Sequence, residues 1–527
     1  MPTVKNREST GRHAFLVASG ILISRIVGLV RQRVFSHYFG QMDEADAFYA
    51  AFKVPNFLQN LFGEGVLSAS FIPVYARLLA EGDEEESGRV AGAVGAILAL
   101  ATSVIVLAGV LLTPYLIWII APGFQGAKRE LTIHLVRILF PGAGLLVFSA
   151  WSLGILNSLR KFFLSYTAPV IWNVAMIATM VAFRRHDLTT LAIYLAWGSV
   201  VGSALQFLVQ LPTVLRLTRK LRFTLDTAAA NVRDVMRNFA PVFVSRGVVQ
   251  ISAWVDQLIA SLLGPGAVAA LANAQSIYTL PVSLFGMAVS AAELPAMSSA
   301  LGTDAEIAAG LRRRLSSGLR QIAFFIVPSA MAFFALGDVV AAALYQSGKF
   351  THDNSVYVWG IIAGSAVGLL ASTLGRLYAS TYYALRDTRT PLRYASIRVA
   401  LTVGLGYLCA LLLPRWLGID PHWGAAGLTA SAGVAGWVEF TLLRRTLNAR
   451  IGATGVPAPL IAKLWGSAAV GAALAWGIKL AIAGVSPEVA AILVLIPYGL
   501  TYFAVTYFMR VEECGAMFAR LARLRRR

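Results

Sequence analysis

The sequence has little charge and still less acid. Charged residues make up 13% of its 527 positions, and 26 acidic residues stand against 45 basic ones. Because soluble domains carry about 25% charged residues, so low a share excludes an ordinary soluble domain for most of the chain. There are 2 cysteines, Cys409 and Cys514, which are too few and too far apart to predict a disulfide framework.

Long apolar stretches take the place of charge. Hydrophobic residues make up 57% of the chain and form stretches of about 20 residues or more, the length of helix that crosses a hydrocarbon core about 30 Å thick. The sequence therefore predicts an all-α polytopic membrane protein with about 14 transmembrane helices. The predicted spans are 14–37, 46–80, 90–120, 131–157, 164–184, 188–214, 235–263, 267–299, 317–345, 355–384, 391–413, 423–446, 459–484 and 487–510.

The net charge of +19 would suit a nucleic-acid partner if it formed one patch, but its placement indicates topology. With the N-terminus inside, the connections on that side and both tails carry about 30 Lys and Arg, and the other side carries about six. We therefore expect a multi-pass protein with both termini in the cytoplasm. Its basic loops would contact anionic lipid headgroups, and no nucleic-acid partner is expected.

Short segments recur about 222 residues apart and indicate an internal repeat of six spans. An even number of spans gives both copies the same orientation, which predicts two pseudo-symmetric six-helix lobes with a transport site between them. The predicted divisions are an N-lobe at 1–222, a C-lobe at 223–450, and a C-terminal helix pair with a basic tail at 451–527. The recurring segments are Ser24-Arg25 with Ser245-Arg246, Leu61-Phe62-Gly63 with Leu284-Phe285-Gly286, and Pro73 with Pro295.

Charged residues inside the spans are the candidates for function, because a charge at mid-membrane costs roughly 2.5–3.5 kcal/mol on insertion scales. Arg25 and Arg31 are six residues apart on the first span, so they could line one broad cavity wall. A guanidinium suits phosphate oxygens. Further charges in the first, second and seventh spans include Arg33, Asp46, Lys53, Glu64, Arg246 and Asp256.

Two interpretations of these charges remain open. Asp46, Lys53 and Glu64 could pair with the arginines in the empty transporter and be displaced by a substrate phosphate. The alternative is a purely structural charge network between the first two spans. For Arg33 and Lys479 we favour snorkelling or ion pairing at a helix end.

Signatures of enzymes and metal sites are missing from the sequence. The six histidines lack metal-ligand spacing, and there is no phosphate-binding glycine loop with its lysine and no nucleophile elbow. We therefore expect a transporter and not an enzyme, driven by a gradient or by substrate supply.

Several segments resemble the MurJ (MviN) family of lipid II flippases, in the multidrug/oligosaccharidyl-lipid/polysaccharide (MOP) superfamily. The resemblance implies fourteen helices and alternating access, with a pyrophosphate-linked disaccharide-pentapeptide carried from the cytoplasmic to the outer leaflet of the bacterial cytoplasmic membrane. It implies substrate-binding roles for Arg25, Arg31, Asp46, Lys53 and Glu64. The segments are 24–31 (SRIVGLVR), 45–48 (ADAF), 52–56 (FKVPN), 63–65 (GEG), 347–350 (SGKF) and 386–391 (RDTRTP).

The chain departs from the family pattern in its charges. Gln59 replaces an arginine of many members, Ser276 and Thr279 replace an arginine and a nearby acid, and Arg246 could be a local substitute. Some relatives bind sodium through an acid that matches Asp256, but the eleventh span here has Arg398. We hypothesise that Arg398 pairs with Asp256 in place of sodium. No bound cofactor or metal is expected, coupling to Na⁺ or to the membrane potential is left open, and a monomer is expected.

Other classes remain as alternatives. A cation-coupled multidrug exporter or another oligosaccharide-lipid flippase would share the superfamily, although exporters need acids and aromatics where arginines dominate here. A membrane enzyme or a non-transporting scaffold is the alternative from a different class. An enzyme should show an extramembrane acid cluster, and the one acidic run, 83–86, is interpreted as a solvated turn.

Overall fold

The computed structural model describes residues 4–218, 220–226, 229–298, 303–482 and 484–525. Within these ranges the description leaves out the side chains of 4–18, 21, 64, 240–242, 244–253, 291–292, 295–296, 298, 304, 518 and 520–525. In the described backbone, extended pairing is limited to an isolated bridge between Ser347 and Phe350. The predicted all-α class is confirmed.

Helices follow one another with short connections throughout the described ranges. Two π-helical turns, Val282–Met287 and Leu408–Leu412, and a 3-10 turn, Pro421–Trp423, interrupt the series. The α-helices are α1 Val4–Phe39, α2 Asp43–Phe62, α3 Glu64–Glu81, α4 Glu84–Ile120, α5 Gly126–Ser158, α6 Phe162–Ala182, α7 Leu188–Leu217, α8 Ala230–Ser261, α9 Ala267–Pro281, α10 Ala288–Ser298, α11 Asp304–Tyr345, α12 His352–Ala384, α13 Arg389–Tyr407, α14 Leu413–Leu417, α15 Gly424–Ile451, α16 Ala458–Ala481, α17 Pro487–Phe508 and α18 Glu512–Arg525.

Eleven helical segments of the described chain are long and apolar enough to cross a membrane. They correspond to eleven of the fourteen predicted spans. The other three predicted spans coincide with α1, with α2 and α3 together, and with α8. These are the helices that hold most of the predicted site charges, so the membrane segments that look least apolar are also the most informative about function.

The N-terminal compact unit covers Met1–Val268. In it α1 packs on α6, α2 on α5, α5 on α7, and α8 on α3 and α4. Its core surrounds Phe71, Tyr75 and Trp151, which are almost fully buried. Because α8 packs into this unit, the compact unit extends past the predicted lobe boundary at 222. The boundary at 222 is defined by the sequence repeat, whereas the compact unit is defined by contacts between helices. The predicted boundary therefore stays a prediction.

The C-terminal compact unit covers Ala269–Arg527. In it α12 packs between α11 and α15, and the predicted C-terminal pair, α16 and α17, packs on α11. Pro328 explains part of this docking. Proline has no N–H, so the carbonyl of Phe324 loses its helical partner, and the Tyr502 hydroxyl donates to that carbonyl at 2.6 Å. The α17 helix thus satisfies a group that the proline leaves open.

The two recurring Leu-Phe-Gly segments both lie at interruptions of helices. Gly63 separates α2 from α3, and a Cβ there would lie 2.1 Å from the Gln59 carbonyl oxygen, so the break requires glycine. Leu284-Phe285-Gly286 lies in the π-helical turn. Interrupted helices at corresponding positions of two repeats are typical of secondary transporters, which supports the predicted repeat.

The other two recognised segments form connections. In the turn after α11, Gly348 adopts φ +56° and the N–H of Phe350 donates to the Ser347 carbonyl at 3.0 Å. In the connection before α13, Asp387 accepts from the N–H of Thr390 at 3.0 Å and from Arg450 Nη1 at 2.7 Å. These bonds, above all the one from the Thr390 N–H, lower the pKa of Asp387 to about 2. These bonds fix the local conformation of both segments.

Close backbone contact joins α12 to α15. A Cβ on Gly368 would lie 2.3 Å from the Cα of Gly433, and a Cβ on Gly433 would lie 2.7 Å from the Gly368 nitrogen. Small residues at such crossings are how membrane helices pack tightly, since burying apolar surface against lipid gains little.

We expect Gly433→Ala to lower the stability of the purified protein, because the methyl group has no room at this crossing. The loss should be about 1–3 kcal/mol, measured as a lower thermal unfolding midpoint in detergent. Gly436→Ala, on the same helix with nothing within 4 Å of its Cβ position, is the matched control and should leave the midpoint unchanged or slightly higher. Equal midpoints for the two variants would contradict the close crossing.

Candidate functional site

Arg31 lies against aromatic rings inside the N-terminal unit. It belongs to α1 and is half-buried. Its Cζ lies 5.0 Å from the ring centroid of Trp172 on α6 and 6.0 Å from that of Phe52 on α2. Its Nη1 lies 3.7 Å from Sδ of Met176. A guanidinium can stack on rings and remain charged away from water, which suits a cation within a predicted membrane span.

Arg25 occupies a different environment from Arg31. It is exposed on α1, and its helix neighbours Leu22 and Ile26 are also exposed, by 57% and 51%. The expectation that Arg25 and Arg31 line one cavity wall stays a prediction. Arg31 is enclosed by α2 and α6, whereas Arg25 lies on an open face of the helix.

Asp46 is fully buried and accepts two strong hydrogen bonds. Lys128 Nζ on α5 lies 2.6 Å from its Oδ2, and the N–H of Gly266 donates to the same oxygen at 2.7 Å. Lys128 also contacts Asp43 Oδ1 at 2.8 Å. A buried carboxylate needs such charge-assisted bonds to offset its desolvation. Lys128 and Gly266 are thus two partners of Asp46, and its pairing with the arginines in the empty transporter, one of the two interpretations, stays a prediction.

The surroundings of Asp46 form a latch between three connections on the predicted outer side. We call Asp46, Lys128 and Gly266 the outer latch. Gly266 adopts φ +81°, and a Cβ there would lie 2.6 Å from the Gln41 carbonyl. Beside it, the N–H of Gly123 donates to Ser261 Oγ at 3.3 Å. The latch joins the α1–α2, α4–α5 and α8–α9 connections of the unit.

Two further predicted site charges, Lys53 on α2 and Asp256 on α8, interact electrostatically. Lys53 and Asp256 are both half-buried, and Asp256 acts electrostatically on Lys53. Next to them the rings of Phe57 and Trp254 meet edge to face with centroids 5.0 Å apart. Lys53 and Asp256 thus place opposite charges that interact electrostatically on α2 and α8.

The structure pairs Arg398 with an acid of its own compact unit. Its Nη1 lies 3.0 Å from Oε2 of Glu439, because α13, which holds Arg398, packs on α15, which holds Glu439. The pairing of Arg398 with Asp256 stays a hypothesis, since Asp256 belongs to the N-terminal unit and Arg398 to the C-terminal one. Sequence reasoning missed Glu439, although it is the lone acid of the predicted twelfth span, and that was a usable signal.

Comparison with known proteins decides the family. The family model described as "Lipid II flippase MurJ" matches residues 35–507. The chain belongs to the lipid II flippase MurJ family. A "Probable lipid II flippase MurJ" of Rhizobium tropici is 33% identical over 444 residues, 82% of this chain and 80% of its own length. A "Lipid II flippase MurJ" of Burkholderia cenocepacia is 32% identical over 445 residues, 83% of this chain and 84% of its own.

Solved structures show the same fold. A "Lipid II flippase MurJ, inward closed conformation" superposes with a TM-score of 0.78 at 23% identity and covers 94% of this chain and 99% of its own. A multidrug resistance MATE family transporter of the MOP superfamily, in an inward-facing conformation, superposes with a TM-score of 0.64 at 19% identity, with 83% and 98% covered. Both share the arrangement of helices with this chain.

The remaining predicted positions have these outcomes. The side chains of Glu64 and Arg246 lie outside the described residues, so their roles stay predictions. Gln59, where many MurJ members have arginine, lines a small cleft with Phe52, Asn56, Ser199 and Ser203, so the departure makes a neutral polar surface.

The two departures in the predicted eighth span are satisfied within their own helix. The hydroxyl of Ser276 donates to the Ala272 carbonyl at 3.0 Å, and that of Thr279 donates to the Gln275 carbonyl at 2.8 Å. Both are bonds to the preceding turn, as is common for Ser and Thr in helices. They add no charge to this helix.

Three charges outside the predicted site can also be placed. The acidic run at 83–86 is mostly exposed, as expected of a solvated turn, while Glu86 is paired with Arg89 at 2.6 Å and accepts from Asn231 at 2.8 Å. Lys128, a basic residue on the predicted outer side, is a partner of Asp46. The ion-pairing interpretation of Lys479 is confirmed, with Nζ 2.6 Å from Asp338 Oδ2.

We expect Lys128→Met to destabilise the protein by about 3–5 kcal/mol, because it leaves the buried Asp46 carboxylate without its cation. Thermal unfolding of the purified protein measures the change. Lys349→Met, at an exposed lysine in the turn after α11, is the matched control. Adding Asp46→Asn to Lys128→Met should recover much of the loss, since the unpaired charge is then removed. If Lys128→Met unfolds at the same temperature as the control, the pair does not hold the outer latch.

Proposed function

We propose that this protein is a flippase that moves lipid II, the undecaprenyl-pyrophosphate disaccharide-pentapeptide, from the cytoplasmic to the outer leaflet by alternating access. The proposal rests on the family match over residues 35–507. It agrees with the absence of an enzymatic signature from the sequence and with an arginine seated among membrane helices. The protein is a transporter and not an enzyme.

The arginines of α1 supply the chemistry that a pyrophosphate requires. A guanidinium stays charged when desolvated and presents a planar set of donors that match phosphate oxygens. Arg25 on the open face of α1 would meet the headgroup first, and the half-buried Arg31 would hold it. We expect the polyprenyl tail to stay in the bilayer, since moving an alkyl chain from lipid into protein gains little free energy.

We assign the outer latch to the state of the transport cycle in which the outer side is closed. Asp46 and Lys128 join connections on the predicted outer side, and these bonds must separate before a headgroup could leave in that direction. A flippase of the same fold is known in an inward closed conformation. We propose that the latch is formed when the outer side is shut and broken when it opens, as alternating access requires.

Coupling and surroundings complete the proposal. We infer that no bound cofactor takes part and that a Na⁺ gradient or the membrane potential, which acts on charge moved across the bilayer, drives the cycle. The protein would work as a monomer in the bacterial cytoplasmic membrane, with both termini in the cytoplasm. Its basic cytoplasmic loops would bind anionic lipids.

A multidrug exporter is the second candidate because MATE transporters share the fold. That likeness concerns the arrangement of helices alone. Export of a cationic drug is disfavoured by an arginine at the position where Arg31 lies, because like charges repel at close range. Binding of an anionic headgroup fits the same residue.

We expect Arg25→Ala and Arg31→Ala to fail to support growth of a bacterium depleted of its own lipid II flippase, at normal membrane levels of each variant. Losing a charge-assisted hydrogen bond should slow transport about tenfold to a hundredfold. Arg185→Ala, which removes an exposed arginine from the turn after α6, is the control and should support growth fully. Normal growth with both α1 variants would overturn the headgroup-binding role.

The proposed topology predicts which side a membrane-impermeant maleimide reaches. In a variant with Cys409 and Cys514 replaced by alanine, Lys349→Cys should react in intact cells. Lys161→Cys should react only after the membrane is opened, because it lies in a connection on the opposite side. Labelling of Lys161→Cys in intact cells would contradict cytoplasmic termini.

A further inference from the structure

We propose that Trp172 is a positioning residue for Arg31: it fixes the plane of the guanidinium so that the transporter reads a pyrophosphate in preference to a monophosphate. The proposal rests on the proposed function, since it concerns the headgroup that Arg31 would bind. Trp172 stands outside the residues that the sequence singled out, and its role follows from how three helices hold its ring.

The indole of Trp172 is fixed from behind by α7. Its Nε1 donates to both the carbonyl and the hydroxyl of Ser199 at 3.2 Å. Gly202, one turn further along α7, leaves room for the ring, because a Cβ there would lie 2.9 Å from Cδ1 of Trp172. A ring held by a hydrogen bond at its edge and by backbone at its face has little freedom to turn.

Arg31 and Phe52 both lie against the ring of Trp172. The Phe52 and Trp172 rings stack with centroids 5.6 Å apart at 20°, and the Arg31 Cζ lies 5.0 Å from the Trp172 centroid. The Met176 sulfur, one helical turn from Trp172, lies 3.7 Å from Nη1. Ser199, Trp172 and Arg31 thus form a relay of contacts from α7 through α6 to α1.

Stacking and phosphate binding use different parts of a guanidinium. Its faces meet aromatic rings, whereas its N–H donors point outward in the plane of the group. A thioether is a weak acceptor, so the Met176 sulfur competes only weakly with a phosphate oxygen for Nη1. A ring that fixes the plane of the guanidinium therefore does not cover the N–H donors that bind phosphate. It sets the direction in which those donors point.

A fixed plane favours a ligand with more than one phosphate. A guanidinium that turns freely can follow any single phosphate group, so its orientation contributes little to discrimination. A guanidinium held in one plane offers paired donors at fixed positions, which a bridged pair of phosphates can meet at two points. We therefore expect loss of the ring to weaken binding of the pyrophosphate lipid more than binding of the monophosphate lipid.

The test compares two probes on the purified full-length protein in nanodiscs: undecaprenyl pyrophosphate and undecaprenyl monophosphate. The original protein should bind the pyrophosphate probe more tightly. Trp172→Leu should weaken that binding about fivefold to tenfold, the size of a partly desolvated cation–π contact, and leave the monophosphate affinity nearly unchanged. Trp172→Phe, which keeps a ring, should retain most of the preference.

Trp197→Leu is the matched control, because Trp197 lies on α7 and is 54% exposed. It should leave both affinities unchanged. In the background Arg31→Lys, Trp172→Leu should add little further loss, since a residue that acts through Arg31 is not additive with it. If Trp172→Leu does not accumulate, Trp172→Met, which fills space without a ring, takes its place.

Failure of this inference is distinct from failure of the proposed function. If the original protein carries lipid II across proteoliposome membranes but Trp172→Leu weakens both probes equally, or neither, Trp172 is only structural and the positioning role is overturned. If the original protein does not transport lipid II at all, the proposed function itself is wrong.

Discussion

Asp46 has no exposed surface, and a carboxylate in that environment is stable only when cations and N–H groups surround it. The N-terminal unit is arranged to meet that requirement. It brings Lys128 from α5 and the N–H of Gly266 to the outer end of α2, and it needs a glycine at 266 because the backbone there is left-handed and close to Gln41. Three connections are fixed together by one buried charge.

The same requirement explains the other charges in the membrane segments. Lys53 has Asp256 as a counter-charge, Arg398 has Glu439, and Lys479 has Asp338. Arg31 also lies against two rings and a sulfur. An aromatic ring attracts a cation without neutralising its charge.

The fold could be predicted from the sequence because each membrane helix is specified locally, by a run of apolar residues of the required length. The choice of partner for each charge could not. Asp46 and Lys128 are 82 positions apart, and Arg398 and Glu439 are 41 apart, so their pairing depends on which helices pack together. Resemblance drew attention to Arg31 and Asp46, but Trp172 belongs to an ordinary apolar stretch, and nothing in its sequence surroundings marks it.

The break at Gly63 divides the second predicted span into two helices, α2 and α3, whose packing partners differ. The helix before the break, α2, carries Asp46 and Phe52, one of the rings beside Arg31, and packs chiefly on α5. Its last turn joins the same core as Phe71 and Tyr75 of α3, which packs on α8. Helix breaks are positions at which membrane helices bend. The glycine thus lets one predicted span interrupt its helix while both halves stay packed.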